Sequence, residues 1–132
     1  MALSKLLPIA AVALLACVNT AAAGTGDAAA GERVFKKCRA CHEVGENANN
    51  MVGPVLNGVV GRPAGSYPGY HYSDANKHSG LVWDEATLTA YLRNPQGKVP
   101  GTKMAFPGLT SDEDIANVIA YLKQFDAKGK TR

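Results

Sequence analysis

Cys38 and Cys41 stand two residues apart and His42 follows at once, in the run KKCRACHEVG. Two thiols and an imidazole at this spacing suit three chemistries: a zinc site, a redox dithiol, or covalent attachment of a haem. Zinc takes four ligands, usually from a second Cys/His pair at matched spacing. The other histidines, His71 and His78, stand in no such pattern and read as exposed polar residues. A thioredoxin-like dithiol belongs beside a βαβ pattern, and this chain offers short helices and long loops instead. C-x-x-C-H is the signature of haem attachment. Two thioether bonds fix the macrocycle, and the adjacent imidazole faces the iron. One haem c, held through Cys38 and Cys41, is therefore the favoured cofactor.

An iron that only passes electrons needs six ligands, because an open position binds oxygen or peroxide. A thioether opposite histidine favours the ferrous state and raises the potential. Beyond Met1 the chain has two methionines, Met51 and Met104. Met51 follows His42 by nine residues, in NNMVGP, with little chain to cross a macrocycle; it reads as packing. Met104 lies 62 residues on, in a Pro/Gly-framed loop with the length to reach the far face. The sequence thus favours His42 and Met104 as the metal ligands.

These groups need elements to position them. Asp27 caps a helix predicted from about Ala28 through Gly31, Val34 and Phe35 toward Cys38. Gly31 costs it roughly 1 kcal/mol against alanine, which makes sense where another helix packs at that point. From Glu43 to Gly80 no period is sustained, and Gly, Pro and Asn take the place of core positions. So long a connection is uncommon in a compact domain, and stays ordered only by wrapping something, as it would an apolar macrocycle. Asp84 to Arg93 reads as a short helix with Leu88, Tyr91 and Leu92 on one side, ended by Asn94-Pro95. The loop QGKVPGTKMAFPGL follows. In the last helix Thr110 and Glu113 fit a capping box, and Asp112, Glu113 and Asp114 suit its positive end. Ile115, Val118, Ile119 and Leu122 then recur at i, i+3, i+4, i+7. Lys128, Lys130 and Arg132 read as a solvated tail. With no strand-rich region, the fold class is all-α.

Lys5, the apolar stretch Leu6 to Val18 and the run Ala21-Ala22-Ala23 read as a secretory signal cut after about Ala23. The stretch is too short for a comfortable membrane span. Leu14-Leu15-Ala16-Cys17 also resembles a lipoprotein box, but Leu15 suits it poorly and cleavage after Ala23 is preferred. Removing residues 1–23 from the 132 leaves 109, one domain at 24–132 with a modest core. A net charge of +3, with Lys5 in the leader, is too weak to argue nucleic-acid binding. A local basic patch would still orient the protein on an acidic partner. Two adjacent cysteines are no fold-wide disulfide framework for an exported domain.

From about Gly26 to Phe125 the chain resembles the class I cytochromes c, and most of all their bacterial periplasmic c-two type. The stretches that carry this are CRACH, VGPVLNGVVGR, GYHYSDANK, GLVW, YLRNP, PGTKMAF and IAYLKQF. The resemblance implies crossed terminal helices, with Gly31 and Phe35 meeting Tyr121 and Leu122, and shorter helices and loops enclosing the haem. It implies thioethers on Cys38 and Cys41, His42 and Met104 on the iron, and the Pro54 carbonyl on the other imidazole nitrogen of His42. Arg62, Tyr72, Asn76, Trp83 and Thr102 match positions that bond or screen the haem propionates, and Tyr91 would bond toward the Met104 sulfur. Taken alone, Tyr70, Tyr72 and Trp83 read rather as half-buried aromatics with polar tips, and the resemblance reverses that preference.

The implied function is one-electron transfer by a soluble periplasmic monomer that transforms no substrate and is therefore no enzyme. Its partners would be a quinol-cytochrome c reductase and a terminal oxidase or photosynthetic reaction centre, met through weak, salt-sensitive contacts. A haem-based peroxidase or gas sensor with a labile distal methionine is the alternative. One departure bears on partners. The mitochondrial protein has consecutive lysines after its Asn-Pro, where this chain has Gln96-Gly97. Lys37, Lys98 and Lys103 are left to ring the haem edge, a thinner docking patch.

Overall fold

The computed structural model describes residues 26–132, so the expected leader, its cleavage site and Cys17 lie outside the described residues. Five helices follow in order: α1 Ala28–Phe35, α2 Asp74–Lys77, α3 Glu85–Arg93, α4 Pro95–Lys98 and α5 Asp112–Lys123. Among the described residues strand pairing is limited to isolated bridges, Pro63 with Val82 and Phe125 with Thr131. The all-α expectation holds.

Side chains start these helices where the first amides lack partners. The Asp27 carboxylate accepts from the Ala30 N–H at 2.7 Å, and Asp84 accepts from Thr87 at 2.7 Å. The expected cap of α5 is displaced by one residue. Ser111, not Thr110, is the cap, accepting from the Asp114 N–H at 3.1 Å. Two hydroxyl residues stand side by side there, and the extended backbone falls on the second. The face read for α5 is buried as expected, with Ile115 and Val118 each at 1% exposure.

Two short helices differ from the sequence reading. Asn94-Pro95 ends α3 but also starts α4, because Asn94 accepts from the Gly97 N–H at 3.0 Å and proline suits a first helical position. Ser73 caps α2 in the same way, through the Asn76 N–H at 3.1 Å. One turn is too short to show a period. The terminal lysines are exposed, but the tail they sit on is folded. Asp126 accepts from the N–H groups of Lys128 and Lys130 at 2.8 and 2.9 Å, and Gly129 is buried against Gly45.

α1 and α5 cross at backbone contact. A Cβ on Gly31 would run into the carbonyl of Asn117, and one on Gly26 into that of Ala116. The Asn117 side chain accepts from the Asp27 N–H at 2.7 Å, which ties the start of α1 to α5. Phe35 stacks on Tyr121 with ring centroids 5.3 Å apart, and Phe125 on Tyr121 at 5.2 Å. Leu88, Tyr91 and Leu92 of α3 are buried in the same core.

Gly31→Ala tests this contact. Alanine gains roughly 1 kcal/mol of helix propensity, while forcing two backbones apart costs more. The melting temperature is expected to fall by about 4 °C or more, the change associated with about 1 kcal/mol in a domain of this size. An unchanged or higher melting temperature in a thermal scan would show that the crossing tolerates a side chain.

Candidate functional site

α1, predicted to run toward Cys38, ends at Phe35, and the chain continues in tight turns. The Cys38 N–H donates to the Phe35 carbonyl at 2.8 Å. The Cys38 carbonyl then accepts from Cys41 and His42 at 3.1 and 3.0 Å. This turn delivers both thiols and the imidazole to one wall of a cavity of about 350 Å³. Among the described residues the thiols are unpaired; both are half-buried, and burial pushes the Cys38 pKa up.

His42 is held from behind. Its Nδ1–H donates to the Pro54 carbonyl at 2.7 Å. That bond sets the tautomer and leaves Nε2 as the nitrogen with a free lone pair. Burial lowers the His42 pKa and outweighs the opposing bond to Pro54, so the ring is neutral near neutral pH. Gly53, which sequence reasoning did not single out, lies flat against the ring. A Cβ there would sit 2.7 Å from Nδ1 and 2.8 Å from Nε2. Its N–H donates to the Cys41 carbonyl at 2.8 Å, closing the turn. A glycine beside a proline, close after the motif, was the available signal.

Elsewhere on the cavity a second donor is held by side chains. The Tyr91 hydroxyl donates to Met104 Sδ at 3.3 Å and lies 3.3 Å from Thr102 Oγ1. The Met104 N–H donates to that same Oγ1, also at 3.3 Å. One proton assignment satisfies every group: Thr102 donates to Tyr91, Tyr91 to the sulfur, and the Met104 amide to Thr102. Burial raises the Tyr91 pKa, so its hydroxyl stays a donor. Trp83 packs on the Tyr91 ring at 4.7 Å.

The polar end of the cavity holds unsatisfied groups. Arg62 donates from Nη1 to the Asn57 carbonyl at 2.7 Å and from Nη2 to that of Val55 at 3.3 Å. Among the described residues its Nε–H is buried without a partner, as is Asn76 Oδ1. Tyr72 accepts from the Tyr67 N–H at 3.1 Å. A buried orphan N–H costs about 1–3 kcal/mol, and a carboxylate at this end would relieve it. Rotating the Asn76 amide would add a second donor.

These features fit a haem c: two thiols for the thioethers, a nitrogen and a sulfur for the iron, and orphaned polar groups for propionates. Cys38, Cys41, His42, Pro54, Arg62, Tyr72, Asn76, Trp83, Tyr91, Thr102 and Met104 all line the one cavity. Lys37 and Lys103 reach it too, whereas Lys98 does not. Met51, expected as packing, is 43% exposed and stands outside it. Residues 49–52 run along the surface, so Met51 has no core to enter. His71 and His78 are exposed, as expected.

Residues 28–126 match the family model described as Cytochrome c. The chain is 53% identical to cytochrome c-554 of Methylosinus trichosporium over 97% of each chain. It is 60% identical to cytochrome c2 of Rhodoblastus acidophilus, over 79% of this chain and 97% of that one. Among solved structures, cytochrome cH from Methylobacterium extorquens matches with a TM-score of 0.71 at 54% identity, covering 74% of this chain and 98% of that one. Cytochrome c2 from Rhodospirillum centenum matches with a TM-score of 0.73 at 42% identity, covering 76% and 99%.

Tyr91→Phe removes the hydroxyl between Thr102 and the sulfur and leaves the ring packing intact. An O–H donor draws electron density from a thioether and so favours reduced iron. The haem-loaded variant is therefore expected to show a lower midpoint in a redox titration. A midpoint equal to or above that of the parent would mean that the hydroxyl does not act on the sulfur.

Proposed function

The chain belongs to the cytochrome c family, and from that premise we propose that it shuttles single electrons in the periplasm with His42 and Met104 as its iron ligands. The observation that carries this is the pairing of an imidazole nitrogen and a thioether sulfur on one cavity, each fixed by a hydrogen bond from behind. When bound, the haem supplies an iron that accepts and returns one electron.

The protein's own residues do the rest. Cys38 and Cys41 tether the group. Pro54 orients the His42 ring, and Gly53 lets the backbone approach it closely. Tyr91 and Thr102 hold the Met104 sulfur in one place, so that little has to move when the charge changes. Arg62 offers its unpartnered Nε–H to one end of the macrocycle, and Asn76 its amide NH2 once rotated, with Tyr72, Trp83 and Thr102 closing that end. Apolar side chains keep water out, which favours the less charged, ferrous state.

In this reading residues 1–23 form a cleaved export signal and 24–132 the mature domain, a monomer that transforms no substrate. No helix among the described residues is long and apolar enough to cross a membrane. A quinol-cytochrome c reductase would donate and a terminal oxidase or photosynthetic reaction centre would accept. The basic fringe is thin. Lys37 is engaged by Asp114 at 3.6 Å, and Lys103 reaches the His71 carbonyl and lies 4.7 Å from the Tyr70 ring. Docking through such a fringe is weak and screened by salt. The peroxidase or gas-sensor alternative draws no support from the relatives.

The decisive measurements are a mass and a spectrum of the exported protein. Peptide mass mapping is expected to find one haem adduct on Cys38 and Cys41. The ferric form is expected to show the far-red band of sulfur-to-iron charge transfer, and Met104→Ala to lose it, lower the potential and admit external ligands. A band and potential indifferent to Met104→Ala would sink the ligand assignment.

A further inference from the structure

The loop that carries Met104 is sparsely held. Thr102 donates to the Val99 carbonyl at 2.9 Å, and the next backbone–backbone bond is from Leu109 to Leu92 at 2.8 Å. Among the described residues no backbone group from 103 to 108 takes part in such a bond. The Met104 backbone is held instead by side chains. Its N–H reaches Thr102, which belongs to the same loop. Its carbonyl accepts from Nε2 of Gln96 at 2.8 Å, and Gln96 is anchored outside the loop, on α4. That helix is itself fixed, with Pro95 buried and Asn94 capping the Gly97 N–H.

We propose that Gln96 is a positioning residue that keeps Met104 on the iron by clamping its backbone carbonyl to α4. The residue that thins the docking fringe thus has a task of its own. This rests on the reading of Met104 as an iron ligand. In this proposal the sulfur leaves by a swing of its loop, which opens the 2.8 Å bond. The bond therefore stabilises only the closed, ligated state. An external ligand binds only the open state, so its apparent affinity scales with the open fraction. Removing one neutral hydrogen bond of ordinary net strength raises that fraction about 2- to 10-fold.

Imidazole titration of the ferric, haem-loaded protein, followed by loss of the far-red band, reads this fraction directly. Parent, Gln96→Ala, Gln96→Glu and Gln96→Arg are compared, with the unfolding midpoint of each recorded alongside. Gln96→Glu keeps the shape but has no donor at neutral pH, while Gln96→Arg keeps N–H donors on a longer stem. Gln96→Ala and Gln96→Glu are expected to tighten imidazole binding about 2- to 10-fold, with Gln96→Arg close to the parent. Unfolding midpoints should fall by only a few degrees, as the loss of one hydrogen bond predicts in a domain of this size, and a larger fall would mark general loosening and overturn the proposal. Parent-like binding in Gln96→Ala and Gln96→Glu overturns the proposal, and so does Gln96→Arg binding as tightly as Gln96→Ala. A parent without the far-red band, or Met104→Ala with parental imidazole affinity, overturns the ligation reading and this inference with it. A band that depends on Met104 beside silent Gln96 variants overturns this inference alone.

Discussion

The backbone contact between α1 and α5 sets where the chemistry points. The turn carrying Cys38, Cys41 and His42 springs directly from the last residue of α1, through the bond from the Cys38 N–H to the Phe35 carbonyl. Any tilt of α1 against α5 would be passed to both thiols and the imidazole with nothing flexible between. Gly31 and Gly26 remove the side chains that would hold the helices apart, and the Phe35–Tyr121 stack locks rotation beside them. A site built on such a crossing is placed by packing rather than by loop conformation.

What surrounds it is organised differently. Between Glu43 and Trp83 the chain folds through side-chain amides and a guanidinium that stand in for missing backbone partners. Asn57 accepts from the Gly45 N–H at 2.9 Å and donates to its carbonyl at 2.8 Å. Asn50 accepts from the Val55 N–H at 3.0 Å and donates to the Pro68 carbonyl at 3.1 Å. Arg62 binds two more carbonyls. The C-terminal turn then presses Gly129 onto Gly45 from outside. Irregular backbone is thereby satisfied without strands. The arrangement also explains why Arg62 has an N–H to spare, since its terminal nitrogens are already engaged by the fold.

How much of this was legible follows from the range of each interaction. The C-x-x-C-H run, the 3.6 period of α5 and the apolar side of α3 are local signals, and all of them appear where the sequence placed them. The elements missed are those decided by single contacts. Ser111 took the cap from Thr110, and Asn94-Pro95 opened a turn of helix while closing another. The role of Gly53 depends on which ring packs over it, and that ring belongs to a residue eleven positions earlier. Met51 shows the limit of residue type as a guide, because an apolar side chain needs a core within reach. The polar end of the cavity was placed by resemblance alone. Composition could not have paired Arg62 with Asn76.

The two donors, finally, are not equally stiff. His42 sits in a turn closed on both sides, by its own N–H to Cys38 and by Gly53 to Cys41, with Pro54 holding the ring. Moving its nitrogen means breaking several bonds at once. Met104 sits in a span, 103 to 108, that makes no backbone–backbone bond among the described residues, and three side chains supply its restraint: Tyr91 on the sulfur, Thr102 on the amide, Gln96 on the carbonyl. Each of those bonds is of modest net strength and can open separately. With the proposed ligands, exchange would therefore begin on the methionine side. The same looseness makes that side tunable, since a change to any one of the three side chains alters the sulfur's hold without disturbing the crossing that places the thiols.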